Sequence, residues 1–488
     1  MVTRLTAIPA LLLWVAVCQA DPELVVDPPP TDPSGPTVVI CDPPFPSIID
    51  DPFPVICDPP YPPINDDPYL VICDPPLMYT TNLDNDPPLP APRLFSAGRT
   101  ANENRVEGHL NRLVDQMRQN PSGEIPTQGL QSLIPMSGPL SSYKQQALLN
   151  GLSGEVYGSL QTLGLQIAGG SLRTVSNRIV NTDLFLNDGA SLLVGQTNPA
   201  FAGQGDTIVR GQPAVSFVTG WLQGYGGSGV FSYDGNASAS DYGVGGLAYG
   251  VDLGRDETGV IGLTGGNTFT SFDNDLGDSV RVNSFQIGLY GLKRSDVSYL
   301  FGVLNYGHNR FDVNRIAGGV SPVSSSFSGH QFGSYGEAGL NLEMRAVRLQ
   351  PFVGMQYVGL SNSQAMESGI GGLNVAAANF NSLQSNLGAR LIAHRLTDSY
   401  GHRWTPYLSA RWAMELLNEQ ASAFSTLNGA PGASWVATGN QPARNIGMIS
   451  PGLTVELTRG ISLFATYEYQ WGAYFRAQTG TGGLLFTF

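Results

Sequence analysis

The sequence predicts an all-β membrane protein: an antiparallel transmembrane barrel of about twelve strands over residues 216–488, preceded by a helical segment and a disordered Pro/Asp-rich repeat region. Three observations carry that reading. The last strand puts Leu484, Phe486 and Phe488 on one face and Gly483, Leu485 and Thr487 on the other, whereas the termini of soluble domains are usually polar and frayed. The same apolar-out, polar-in alternation recurs through the C-terminal half, as in strands with lipid outside and water inside. Charged residues make up only 13% of the chain, against 60 glycines and 19 tyrosines. That balance suits a barrel with aromatic girdles better than a cytosolic enzyme. No run of eighteen apolar residues occurs outside the N-terminus, so no spanning helix is available.

Residues 1–20 read as a secretory signal. Arg4 supplies the positive region, Leu5 to Val17 is apolar but too short to span, and Cys18-Gln19-Ala20 offers small residues for cleavage after Ala20. Acylation of Cys18 is the weaker reading, because Val17 is a poor residue before a lipidated cysteine. Residues 21–95 follow with thirteen acidic residues, one basic residue (Arg93) and 22 of the 35 prolines. Proline removes a backbone donor and biases its predecessor to extended geometry, so this stretch is neither helix nor central strand. It carries a 16-residue repeat: Val39-Ile40-Cys41-Asp42-Pro43-Pro44 recurs from Val55 and again from Val71. That period is too short for a solenoid unit. The net charge of −14 is concentrated here, which argues against nucleic acid as a partner.

Residues 96–140 read as a helix and a loop. Val106, Leu110, Leu113, Val114 and Met117 recur at helical spacing, and Pro121 to Pro139 is the loop. Residues 141–185 form a second helical segment, with Leu148, Leu152, Val156, Leu160, Leu163 and Ile167 among its apolar positions and an interruption expected at Gly169-Gly170. Residues 186–215 are Gly-, Asn- and Gln-rich and read as a linker.

Twelve strands are expected from about residues 216, 240, 258, 279, 296, 325, 348, 380, 402, 442, 460 and 475. In one of them Phe285, Ile287 and Leu289 alternate with Ser284, Gln286 and Gly288. Connections after even strands are mostly tight. Those after odd strands are mostly longer, notably Tyr233 to Ala239, Asp312 to Ser324, Asn362 to Asn379 and Asn418 to Gln441. Short turns on one side opposite long loops on the other are the pattern of outer-membrane barrels.

Several segments resemble the C-terminal β-domain of autotransporters, the type V secretion family. Gly220-Trp221-Leu222-Gln223-Gly224-Tyr225-Gly226 is similar to its first strand, Gly245-Gly246-Leu247-Ala248-Tyr249-Gly250-Val251-Asp252 to the second, and Gln286-Ile287-Gly288-Leu289-Tyr290-Gly291 to the fourth. The stretch Gly329 to Gly339 is similar to the sixth, and Pro351-Phe352 opens the seventh. Glu367-Ser368-Gly369 matches an external-loop motif, and Leu152 to Tyr157 resembles the helical segment before the barrel. The chain departs from the family in two places. Met414 in Arg411-Trp412-Ala413-Met414-Glu415 replaces a frequent His, and residues 21–95 have neither the length nor the apolar content of a β-helix passenger.

The resemblance implies a barrel in the cell outer membrane, in contact with lipid, that displays or secretes its own short acidic N-terminal segment. That segment would be exposed at the cell surface and could adhere to a host or cell-surface ligand. The resemblance also implies recognition of the terminal strand, at Leu484, Phe486 and Phe488, by the barrel-assembly machinery. Alternation points Glu337, Glu456, Glu468, Gln331 and Arg390 into the lumen, where Arg173 and Arg178 of a plugging helix 141–185 could meet the glutamates. Two other readings are a plugged channel that retains its N-terminal region, and an enzyme with an unrecognised passenger site. Enzyme signals are thin: no Gly-x-Ser-x-Gly elbow occurs, and Gly277-Asp278-Ser279 falls at a barrel loop. No cofactor is implied. Removal of the signal leaves Cys41, Cys57 and Cys73, an odd number for an oxidising compartment, compatible with one internal pair or with disulfide-linked oligomers. The five histidines (109, 308, 330, 394 and 402) show no metal-motif spacing in sequence.

Overall fold

The computed structural model describes residues 95–119, 141–186 and 219–487, apart from 257, 320, 395, 418, 431, 459 and 460. The expected signal, the repeats with Cys41, Cys57 and Cys73, nearly all of the linker and Phe488 lie outside the described residues.

Twelve antiparallel strands close on themselves. They are β1 (Thr219–Phe231), β2 (Ser240–Asp256), β3 (Gly259–Asn274), β4 (Ser279–Arg294), β5 (Ser298–Ala317), β6 (Ser321–Leu340), β7 (Val347–Asn362), β8 (Ala378–Ala393), β9 (Arg403–Glu415), β10 (Asn445–Thr458), β11 (Ile461–Gly472) and β12 (Phe475–Thr487). Each pairs with its neighbours in sequence, and β12 pairs with β1 from Phe231↔Phe475 to Thr219↔Thr487. Closure leaves no strand edge around the wall, which the hydrocarbon core of a membrane requires because it offers no hydrogen-bond partners. We call the end that holds Thr219 and Thr487 the near rim and the opposite end the far rim.

Side-chain parity is regular. On β4, Phe285, Ile287 and Leu289 are about half exposed on the outer wall, while Ser284, Gln286 and Tyr290 are buried inside. On β12, Leu485 points inward and is buried, whereas Leu484 and Phe486 are partly exposed on the other face. Among the described residues no helix is long and apolar enough to cross a membrane.

The structure corrects two expectations about the loops. Asp312 to Ser324 is mostly strand. β5 and β6 run on to a tight turn at Gly318-Gly319, both with positive φ, because Val313, Arg315, Val323 and Phe327 find buried partners on the inner side. The two longest loops also fold. Ala365–Met366, Leu373–Val375, Ser422–Leu427 and Ser434–Thr438 make a four-stranded sheet at the far rim.

The helices are α1 (Ala101–Gln119), α2 (Ser142–Ser153) and α3 (Glu155–Leu186). The expected break at Gly169-Gly170 does not occur, since α3 continues through it. The chain breaks instead at Gly154, which caps α2 in the left-handed conformation at φ 70°. A Cβ there would lie 2.5 Å from Leu373 Cδ1, so both conformation and space favour glycine. α1, α2 and the start of α3 share one apolar core with the far-rim sheet, including Leu110, Leu149, Leu152, Leu160, Leu373 and Trp435. We call this assembly the cap.

Candidate functional site in the barrel lumen

α3 fills the lumen. At 32 residues it is about 48 Å long, enough to cross a membrane. Its first residue, Glu155, accepts from Ser238 N and Oγ in the far-rim loop after β1, at 2.8 and 2.5 Å. Arg178, more than six turns on, meets Asp252 near the foot of β2. The helix therefore runs from far rim to near rim. At the top its backbone touches the cap directly: a Cβ on Gly439 would sit 1.9 Å from Ser159 N. Lower down, Leu165, Leu172 and Val175 pack against wall residues that include Val303, Tyr335 and Leu360.

Three buried ion-pair clusters line the barrel. In the lowest, Arg178 Nη2 donates to both oxygens of Asp252 at 2.9 Å. The Tyr290 hydroxyl donates to Asp252 Oδ1 at 2.5 Å, and Trp221 Nε1 donates to the Tyr290 oxygen at 2.9 Å. The guanidinium lies 5.9 Å from the ring centroids of both aromatics, within cation–π range. In the middle cluster Glu468 receives Arg173 of the helix at 3.0 Å and Arg411 of the wall at 3.4 Å. A small cleft opens beside it, lined by Gln166, Arg173, Asn177, Thr466 and Glu468 among others. The third is contained in the wall. Arg390 clamps Glu337 through both guanidinium nitrogens, at 2.6 and 2.9 Å. Tyr299 and Tyr335 also donate to Glu337, at 2.7 and 2.6 Å.

A fourth buried pair sits under the cap. Arg315 and Glu367 meet at 2.6 and 2.8 Å with exposures of 1% and 0%. Arg315 also donates to Gly151 O at 2.9 Å, next to the helix break, and Tyr157 donates to Glu367 at 2.7 Å. Nearby, burial pushes the Glu155 carboxyl above the usual carboxylate range, against the pull of its hydrogen bonds from Ser238 and Asn102.

The structure distributes the sequence-selected residues unevenly. Arg173 and Glu468 meet. Arg178 pairs with an aspartate that was not among the selected residues. The parity of Tyr242 and Ala248 on β2 points Asp252 inward, and counting aspartates with the inward glutamates would have found it. Glu337 and Arg390 pair with each other and leave the helix alone. Glu456 faces Arg403 at 3.6 Å low on the wall. Gln331 is buried and accepts from Asn309 at 3.0 Å. Arg315 and Glu367 lie in segments expected to be loop, so their pairing had no periodicity to reveal it.

Residues 220–468, just over half of the chain, match the family model of the autotransporter beta-domain. The chain belongs to the autotransporter β-domain family. Membership places this barrel in the outer membrane as a translocator domain, its apolar outer wall against lipid. Translocator barrels of this family are typically not catalytic. Among solved structures the autotransporter fold is similar to the translocator domain of NalP from Neisseria meningitidis, at 17% identity and TM-score 0.47, covering 56% of this chain and 89% of that one. It is also similar to the transport unit of AIDA-I from Escherichia coli, at 19% identity and TM-score 0.43, covering 63% and 97%. The beta domain of the Bordetella autotransporter BrkA gives 17% and 0.43, covering 56% and 100%. No curated protein matches the chain.

Proposed function

We propose that this autotransporter carries its own N-terminal segment across the outer membrane and holds it at the cell surface with α3 resting in the pore. The observation that supports this most directly is the course of α3. Both ends of the barrel wall lie at the near rim, while the chain entering α3 comes from the far rim. With the near rim periplasmic and the far rim external, everything before α3 has passed through the lumen. The acidic Pro-rich residues 21–95 are then the displayed segment.

The buried ion pairs favour a companion reading of the resting state, a plugged channel. Arg173 and Arg178 give the helix two charges that the wall neutralises at Glu468 and Asp252. Display and plugging are compatible, and the N-terminus separates them. Protease shaving of whole cells, followed with an antibody to residues 40–75, should remove the epitope from intact cells. An epitope that resists shaving until the outer membrane is opened would leave only the retained plug. Leu484, Phe486 and Phe488 are proposed as the assembly signal, and deletion of Phe488 should lower the yield of folded barrel. Adhesion to a host or cell-surface ligand and disulfide linkage through Cys41, Cys57 and Cys73 belong to the same proposal. Non-reducing electrophoresis that yields only monomer rejects intermolecular linkage. An enzymatic passenger would have to show activity in the shaved fragment.

A further inference from the structure

His308 and His330 are 22 positions apart in sequence, yet they are direct cross-strand partners on β5 and β6. Both project from the outer wall and are exposed. Their ring centroids are 5.1 Å apart and the planes are nearly perpendicular. The Tyr306 hydroxyl is 2.7 Å from His330 Nδ1.

We propose that these two imidazoles form a binding site for a divalent transition-metal ion, with zinc as the reference case. Imidazole nitrogen suits zinc, copper and nickel. A zinc ion about 2.1 Å from one nitrogen of each ring, at a tetrahedral angle, places the ring centroids about 5 Å apart. The observed spacing already meets that requirement, so binding needs only rotation of two exposed side chains. The Tyr306 contact supplies what a ligating histidine needs on its far side. With Nδ1–H donating to the tyrosine oxygen, the Nε2 lone pair of His330 is left for the metal.

The surroundings fit an ion reached from water. Along the strands in one direction lie Tyr306 and Phe332 of the apolar wall, and in the other Arg310 and Ser328. Arg310, the nearest cation on the same strand, has Asp312 at 3.8 Å. Among the described residues no three His, Cys, Asp or Glu side chains converge, so water completes the coordination and the site is weaker than a structural zinc centre. Its effect on the fold would be to tie β5 to β6 below the hairpin that rises over the rim.

The test uses the full chain folded in detergent, its cysteines alkylated, and zinc alone as the probe. Carbethoxylation of histidines, read by mass spectrometry, should fall at least about tenfold at both His308 and His330 when zinc is added. His109, His394 and His402 should react as before. His330→Ala should abolish protection of His308 and weaken zinc binding by at least about tenfold. Tyr306→Phe should weaken it by about tenfold with the gel mobility of the folded barrel unchanged. Protection of His308 that survives in His330→Ala, or an absence of protection at millimolar zinc, overturns the proposal and leaves a ring contact only.

Discussion

The upper half of α3, Glu155 to Leu163, sits in the cap among Leu149, Leu373 and Trp435, whereas the lower half, Gly164 to Val180, sits in a lumen whose wall carries Glu468 and Asp252. Both halves bury apolar side chains. The lower half carries two arginines, Arg173 and Arg178, and each meets a carboxylate on the wall, whereas the one charged group of the upper half, Glu155, is held by hydrogen bonds from Ser238 and Asn102. The upper half has its own ion pair close by, Arg315 with Glu367, but that pair belongs to the surroundings and reaches the chain through Gly151 O and the Tyr157 hydroxyl. The difference teaches how one helix can be fixed at two levels by different means. Apolar burial is indifferent to register along the helix, so the cap supplies adhesion. An arginine facing a buried carboxylate is satisfied in one register only, so the lumen sets the depth to which the helix descends.

The comparison breaks most sharply at Arg315 and Glu367. Losing one member of a buried pair leaves an uncompensated charge and costs about 3–5 kcal/mol. Glu367→Ala should therefore loosen α2 and the start of α3 and leave the lower half in place. Hydrogen exchange of the folded protein checks this, with faster exchange expected over 142–160 and little change over 170–180. Arg315→Met combined with Glu367→Leu should restore much of the protection, because no charge is then stranded.

Leu160→Ala should act on the same half through packing alone. Leu160 is 1% exposed, and truncation of a buried leucine costs about 2–5 kcal/mol. Its effect should be insensitive to salt. An equal loss of protection in both halves would show that the helix is one cooperative unit and that the two-level description fails.

The lower half is probed by Asp252→Asn. Arg178 then keeps a neutral partner, and a hydrogen bond to a charged group is worth about 1.5–3 kcal/mol. The expected result is a rise in ion conductance of the barrel in planar bilayers, larger when Glu468→Gln is added, with the cap still protected from exchange. Glu337→Gln should change the conductance far less, since Glu337 pairs with Arg390 within the wall. Equal conductance in all three variants would sink the idea that these pairs hold the plug.

Much of this was legible in sequence, and the reason is lipid. A spanning strand shows a strict two-residue period because one face meets hydrocarbon, so the strand starts near 240, 279 and 475 are readable from alternation alone. The lumen was half legible. Parity says which residues point inward, but not which of them face the helix, and so Glu337 was grouped with Arg173 although its partner is Arg390. The cap was nearly illegible. Phe424 and Val436 alternate with Ala423 and Ala437 over strands of six and five residues, too few for a period to stand out from a loop. The break at Gly154 shows a further limit. Glycine pairs such as Gly169-Gly170 look weaker on propensity, yet tertiary burial carries α3 through them, while a single glycine with a left-handed φ stops it.

The smallest effect is the pH dependence of Glu155, at the upper end of α3. Burial raises its carboxyl in the folded state, so the folded protein takes up a proton more readily than the unfolded chain does. The cost of holding an ionised Glu155 is absent below the unfolded carboxylate pKa, near 4.3. It grows as pH rises through the window up to the folded value and is constant above that. Seating of the α2–α3 junction should thus tighten modestly as pH falls from neutrality into that window. Glu155→Gln removes the titrating group but keeps an oxygen for Ser238. It should flatten the pH dependence of exchange over 155–160 and leave the lower half unaltered. A slope unchanged in Glu155→Gln would move the titration to Asp278, the neighbouring buried carboxyl that burial also raises, and Asp278→Asn would then be the variant that flattens it.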